Sequence, residues 1–184
     1  MCGLTGFFDR TATATDDQLR SQSMAMAEEI SYRGPDDAHA WVDGAHGIAL
    51  AHRRLSIVDL SPAGAQPMTS ADGRWVMAYN GEVYNAEDLR PDFPDTEWRG
   101  HSDTEVVLEG IAHDGVEATV SKLIGMFAMA IWDAQEQCLY LVRDRLGIKP
   151  LYWCWAGDTF IFGSEVKALE RHPDFTASLD PKAI

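Results

Sequence analysis

Read for the spacing of its apolar residues, the chain divides into a strand-like start, a largely helical middle and a strand-rich last third. Residues 3–8, with Leu4, Phe7 and Phe8, form a short apolar run that predicts a buried strand. Leu19, Met26, Ala27 and Ile30 then fall at helical spacing, with Thr15 or Asp16 in position to cap the helix. That helix should stop before Arg33-Gly34-Pro35-Asp36, where Gly and Pro punctuate the chain. Residues 38–42 and 47–55 predict two strands joined at Asp43-Gly44, a hairpin-favouring pair. The stretch from Asp59 to Met68 carries Pro62, Gly64 and Pro67 and reads as an ordered loop.

A further strand is expected over 75–79, ending abruptly at Asn80-Gly81, followed by a short element over 82–85. Ser102-Asp103-Thr104-Glu105 has Ser at the cap and Glu three residues later, a capping-box pattern that opens a helix through Val107, Leu108 and Ile111. Another helix is expected over 116–123. Beyond it, residues 126–132, 139–142, 151–155 and 160–163 are short apolar segments separated by polar turns, the pattern of antiparallel hairpins. Helices in the middle and strands at both ends argue an α+β layered fold with two antiparallel sheets rather than a parallel βαβ arrangement. The six tryptophans, Trp153 and Trp155 among them, are expected to pack the sheets.

Composition narrows the class of protein. The 184 residues suit one domain, at roughly 100–200 residues each. A chain of this size buries about 70% of its unfolded surface without help from disulfides or metals. Hydrophobic residues at 46% and charged residues at 24% exclude disordered and fibrous classes. Fifteen Lys and Arg against 29 Asp and Glu leave a formal net charge of −14. Such a field repels phosphate backbones and anionic lipid, so neither nucleic acid nor a membrane is expected as partner; otherwise the acidity serves solubility. Three cysteines, Cys2, Cys138 and Cys154, are too few and of the wrong parity for a disulfide framework and fit a reducing compartment. The opening Met-Cys-Gly-Leu-Thr-Gly-Phe-Phe lacks the basic and long apolar regions of a secretory signal. The longest nearly unbroken apolar run, 123–132, is far short of the roughly 20 residues that span a bilayer. A cytoplasmic location is expected.

Cys2 is the strongest chemical feature. Its small side chain permits removal of Met1, which would leave a terminal cysteine with thiol and free α-amine on adjacent carbons. An unperturbed α-amine has a pKa of about 7.7–8.0 and a thiol about 8.5, so the amine can take the thiol proton near neutral pH, directly or through one water. Nucleophile and base then come from one residue. If Met1 persists, the amine is an amide and that base is gone; the alternative reading is an incidental surface thiol. Asn80-Gly81 by itself signals a tight turn. Just after a strand, however, the Asn amide and the next backbone N–H can converge on one oxygen and form an oxyanion hole. Arg54 ends an apolar strand pattern, and its planar fork suits a carboxylate. Asp103 sits where an acid also simply favours a helix N-terminus. Together an Arg and an Asp could hold the two charges of a free amino acid.

Other chemistry is not indicated. The six histidines show no metal-ligand spacing, and no paired Cys-x-x-Cys, phosphate-binding Gly-x-x-x-x-Gly-Lys-Ser/Thr or Gly-x-Ser-x-Gly elbow occurs. Arg143-Asp144-Arg145 reads as an ion-pair network, with a domain interface as the alternative.

Eight motifs recur together in order. They are Met1-Cys2-Gly3, Arg33-Gly34-Pro35-Asp36-Asp37, the run from Arg54 to Leu60, Gln66-Pro67-Met68, Tyr79-Asn80-Gly81-Glu82-Val83-Tyr84-Asn85, Ser102-Asp103-Thr104-Glu105, Gly125-Met126-Phe127-Ala128 and the run from Arg143 to Tyr152. With Ser164-Glu165-Val166-Lys167-Ala168-Leu169 they cover essentially the whole chain. This pattern resembles the N-terminal class II glutamine amidotransferase (glutaminase) domain of glutamine-hydrolysing asparagine synthetases. The resemblance implies an N-terminal-nucleophile hydrolase fold, a four-layer αββα sandwich, over residues 1–184. It implies that Cys2 attacks the side-chain amide of L-glutamine, that Asn80 and Gly81 form the oxyanion hole, and that Arg54 and Asp103 hold the substrate α-carboxylate and α-amino group. Ile57, Val58 and Glu82 match pocket positions. No cofactor is implied for this domain; ATP and Mg would belong to the synthetase domain that follows it in such enzymes, whose Ser-Gly-Gly-x-Asp-Ser type loop this sequence does not contain. That domain of a longer chain is the implied partner and asparagine synthesis the leading activity, with room for a homodimer. Amidation of a sugar or cell-envelope precursor and a non-catalytic regulatory module remain the alternatives.

Overall fold

The computed structural model describes residues 2–56 and 61–177. β1 (Gly3–Asp9) lies in the middle of the first sheet. It pairs antiparallel with β3 (Ile48–Arg54) on one edge and β9 (Thr159–Gly163) on the other. β2 (Asp37–Asp43) extends the sheet from β3, and β8 (Tyr152–Ala156) from β9. The second sheet runs β4 (Met68–Thr69), β5 (Trp75–Val83), β6 (Gly125–Asp133), β7 (Cys138–Arg143), again antiparallel. α1 (Asp16–Glu28) and the short α5 (Val166–Glu170) cover the outside of the first sheet. α3 (Asp103–Asp114) and α4 (Val116–Lys122) cover the outside of the second, with α2 (Ala86–Leu89) against α3. This is the expected α+β arrangement of two antiparallel sheets between helical layers.

Period-two alternation supplies each layer. On β1, Leu4 turns inward to Ile48, Leu50, Val76, Trp132 and Phe162, while Phe7 turns outward to Leu19, Met26 and Leu169. Ala78, Ala128 and Ala130 are small enough to let the second sheet close around the fully buried Trp132. The other face of β5 and β6, with Met77, Tyr79, Met129 and Ile131, packs on Val107, Leu108 and Ile111 of α3. Each such apolar side chain contributes about 1.5–3 kcal/mol when fully buried. Of the two caps considered for α1, Thr15 is the one used. Its hydroxyl accepts from Gln18 N and Gln18 Oε1 accepts from Thr15 N, a complete capping box. Asp16 instead accepts from Gly44 N at 2.8 Å and ties the helix start to the β2–β3 turn.

Several local expectations need correction. The strand from Trp75 does not end at Asn80-Gly81 but continues to Val83, because β6 keeps pairing with it as far as Gly125. Residues 82–85 are therefore the end of β5 and a turn into α2. In the stretch 59–68, Pro62–Gly64 form a 3-10 turn and Met68 begins β4; residues 57–60 lie outside the described residues. Only half of the capping box at Ser102 forms. Ser102 Oγ accepts from Glu105 N at 3.3 Å, whereas the Glu105 carboxylate accepts from Arg99 N, Arg99 Nε and Gly100 N, at 2.8 to 3.0 Å. Trp153 and Trp155 do not pack between the sheets. β8 is an edge strand, and the two rings lean on Phe160 while 61% and 52% of their surface stays exposed.

Arg143-Asp144-Arg145 forms no ion pair among the described residues. Asp144 accepts instead from the backbone N–H groups of Phe127, Leu146, Ile148 and Lys149, at 2.9 to 3.1 Å. Arg143 donates to the carbonyls of Gly147 and Lys149, and Arg145 to those of Ser121 and Leu123. The three charged side chains thus stand in for backbone partners that a tight loop between β7 and β8 cannot supply. Asp144→Ala leaves four N–H groups without their acceptor and should destabilise the protein by about 3 kcal/mol. Urea unfolding checks this; a loss below about 1 kcal/mol would show that the loop is held by something else.

Candidate active site

Cys2 stands immediately before β1. The β1–β3 register pairs Gly3 with Arg53, so one step further sets Cys2 opposite Arg54. Its Sγ contacts both backbone groups of the next residue, accepting from Leu55 N at 3.4 Å and facing Leu55 O at 3.6 Å. The Cys2 carbonyl accepts from Arg33 Nε at 3.0 Å. Arg33 is in turn paired with Glu165 at 2.8 Å, and Tyr32 donates to the same carboxylate. Burial alone would raise the Glu165 carboxyl, but the Tyr32 hydroxyl and Arg33 guanidinium hold it below its ordinary value.

Asn80 and Gly81 lie on β5 of the facing sheet. N–H and C=O groups alternate in direction along an antiparallel strand. Asn80 is paired with Ala128 of β6, and Tyr79 N points the other way, to Gln66 Oε1 at 2.7 Å. Gly81 N–H shares the direction of Tyr79 N–H and so faces away from β6. Glycine is required here by close approach rather than by a turn: an added Cβ would lie 2.4 Å from Met126 O and 2.7 Å from Phe127 Cα. Asn80 is 2% exposed, and its Nδ2 is buried with no hydrogen-bond partner among the described residues. An unpartnered buried amide costs about 1–3 kcal/mol, which marks it as a donor awaiting an acceptor.

Asp103 opens α3. Its Oδ2 accepts from Tyr79 Oη at 2.6 Å and Val83 N at 2.9 Å, and its Oδ1 from Thr104 N at 2.9 Å. Arg54, nearly buried at the end of β3, donates to Ser61 O at 3.1 Å. These residues share one cleft of about 230 Å³, whose lining includes Cys2, Arg54, Asn80, Gly81, Glu82 and Asp103. Glu82 is exposed at its edge. Ile57 and Val58 lie outside the described residues. A larger groove of about 750 Å³ between α1 and residues 172–174 contains none of these side chains, so size does not locate the chemistry. The cleft sets cations and anions side by side, Arg54 and Lys149 with Asp103 and Glu82, around a thiol and an unused amide donor. It can therefore take a small zwitterion and polarise a carbonyl beside a nucleophile. Among the described residues no group of His, Cys, Asp and Glu is placed to hold a metal, and no helix is long and apolar enough to cross a membrane.

Sequence reasoning missed the residues that hold the site together. His52, on β3, reaches across the sandwich to Tyr79 O at 2.9 Å. A carbonyl only accepts, so Nε2 carries the proton. Gln66 bridges Tyr79 N to Thr104 Oγ1, and Lys149, 6% exposed, lines the cleft. Gln66, Tyr79 and Lys149 all fall inside the recurring motifs, which was the available signal.

The fold, two antiparallel sheets between helical layers, is that of the N-terminal-nucleophile hydrolases. A solved structure of glutamine phosphoribosylpyrophosphate amidotransferase from B. subtilis shares the fold, with a TM-score of 0.73 at 19% identity over 92% of this chain and 43% of that one. The chain belongs to the glutamine amidotransferase domain family, whose profile matches residues 1–184. It is similar to asparagine synthetase [glutamine-hydrolyzing] 3 of Bacillus subtilis, at 41% identity over 98% of this chain and 29% of that protein. Asparagine synthetase B of Escherichia coli is 37% identical over 92% of this chain and 30% of its own length, and amidase chry2 of Gibberella zeae 34% over 91% and 26%. The chain thus spans under a third of these curated relatives.

Burial pushes His52 down to about 4 from an ordinary 6.5, outweighing the pull of the Tyr79 carbonyl. Between those values the unfolded chain binds a proton that the folded one does not, so stability falls as pH falls through this window. His52→Gln keeps an N–H donor without the titration. From pH 7 to pH 5 the wild type should lose about 2 kcal/mol more unfolding free energy than the variant, measured in urea. Equal losses would show that His52 is not held neutral in the fold.

Proposed function

We propose that this chain hydrolyses the side-chain amide of L-glutamine and supplies ammonia to a synthetase domain in a longer protein. The observation that carries this reading is the buried, unpartnered Asn80 Nδ2 beside the outward N–H of Gly81, in the same cleft as Cys2. After removal of Met1, the α-amine of Cys2 takes the thiol proton and the sulfur attacks the amide carbon. Asn80 Nδ2 and Gly81 N–H stabilise the oxyanion that forms, a contribution on the order of 10²–10³ in kcat per donor. The intermediate collapses with breakage of the C–N bond, and the α-ammonium returns its proton to the leaving ammonia. A γ-glutamyl thioester remains. Water then attacks it, with the same amine as base, releasing glutamate and the free thiol.

Arg54 holds the substrate α-carboxylate and Asp103 its α-ammonium; Glu82 lines the cleft, and Ile57 and Val58 match pocket positions of the family by resemblance. Aspartate is the ammonia acceptor we favour, because proteins named as glutamine-hydrolysing asparagine synthetases recur among the relatives. ATP and Mg would serve that second reaction, in the cytoplasm, and not the hydrolysis.

The wild type should release glutamate from glutamine, Cys2→Ala should release none, and Asn80→Ala should lose about 10²–10³ in kcat with a smaller change in KM. Coupled detection of glutamate checks all three. Activity surviving in Cys2→Ala would remove the nucleophile assignment.

A further inference from the structure

Asp103 carries the α-ammonium in the reading above, and the inference drawn here rests on that assignment. An aspartate carboxylate has about four acceptor positions, two on each oxygen. Oδ2 is filled by Tyr79 Oη and Val83 N, and one position of Oδ1 by Thr104 N. One position of Oδ1 is left for a ligand in the cleft that Asp103 lines. The two backbone donors belong to the elements that frame the carboxylate. The phenol is the one side-chain donor among these three, and so the one that a substitution can remove.

Tyr79 is held more firmly than an ordinary core tyrosine. Its N–H goes to Gln66 Oε1 and its carbonyl accepts from His52 Nε2, so both backbone groups are taken by side chains rather than by a neighbouring strand. Gln66 Nε2 donates in turn to Thr104 Oγ1 at 3.3 Å, one residue beyond Asp103, closing a circuit from β5 through the phenol to the first turn of α3. The ring is 2% exposed. Burial first, and then the neighbouring Asp103 charge, pushes the phenol well above its ordinary range, so it stays a donor at any working pH.

We infer that Tyr79 is a positioning residue that turns Oδ1 of Asp103 toward the substrate α-ammonium and thereby makes the site selective for an α-amino amide. Removing its hydroxyl weakens the grip on the ammonium without touching the thiol, the oxyanion donors or Arg54. The readout is the KM for L-glutamine beside the competitive Ki of glutaramate, which is glutamine without its α-amino group. In Tyr79→Phe, KM should rise about tenfold, while kcat and the glutaramate Ki should each stay within about threefold. The ratio of KM to Ki does not depend on how much enzyme folds. A parallel rise of KM and Ki, or no rise in KM, would overturn the inference.

Asp103→Ala and the double variant Tyr79→Phe/Asp103→Ala complete the cycle. The double variant removes the carboxylate together with the phenol that faces it and leaves Val83 N and Thr104 N short of an acceptor just as Asp103→Ala does, so these two compare like with like even if Tyr79→Phe alone does not fold. Its KM should match that of Asp103→Ala within about twofold; a KM much higher still would mean that Tyr79 does not act through Asp103. Should Asp103→Ala leave the ratio of KM to Ki unchanged, the assignment of Asp103 itself fails. Should it raise that ratio while Tyr79→Phe does not, only the role of Tyr79 falls.

Discussion

β1 is hydrogen-bonded along both edges, to β3 and to β9, and that double pairing holds residue 2 at one place in the molecule. Chain termini are ordinarily the least ordered part of a fold. Here the strand begins at residue 3, so the side chain of Cys2 is one bond path away from a middle strand with two partners. Arg33 grips the Cys2 carbonyl and Leu55 meets the sulfur from the end of β3. For the nucleophile proposed at residue 2, a place near a chain end would normally cost ordering entropy; a start inside the sheet removes most of that cost before any ligand arrives.

The second requirement is that the other sheet present its donors opposite the sulfur. The two sheets meet through an apolar layer, which alone would fix their spacing but not their slide. His52 supplies a directional tie across that layer, from the strand beside β1 to the carbonyl that precedes Asn80. Tyr79 is therefore the hub of the site. Its backbone is anchored to β3 and to Gln66, its side chain to Asp103, and its chain neighbours Asn80 and Gly81 face the cleft.

What could be read in the sequence follows from where each signal resides. Helices α1 and α3 and most strands are local periodicities, and the apolar run over residues 3–8 marked β1 as a buried strand. Cys2 was legible because thiol and amine belong to one residue. The continuation of β5 past Gly81 was not, since a glycine needed for close approach to Met126 and Phe127 looks the same as one needed for a turn. Trp153 and Trp155 look like core residues because strand propensity says nothing about whether a strand lies at a sheet edge. His52 and Gln66 resemble ordinary polar residues in apolar surroundings; their partners are 27 and 13 residues away and are chosen by the stacking of the sheets.

Reaction of the protein with a diazo-ketone analogue of glutamine, followed by mass spectrometry of the whole chain and of its N-terminal peptide, tests most directly whether a terminal Cys2 is the nucleophile. One label per chain is expected, carried by a peptide that begins at Cys2, with glutamate release lost in proportion to labelling. Label on Cys138 or Cys154, or on a chain that still begins with Met1, would contradict it.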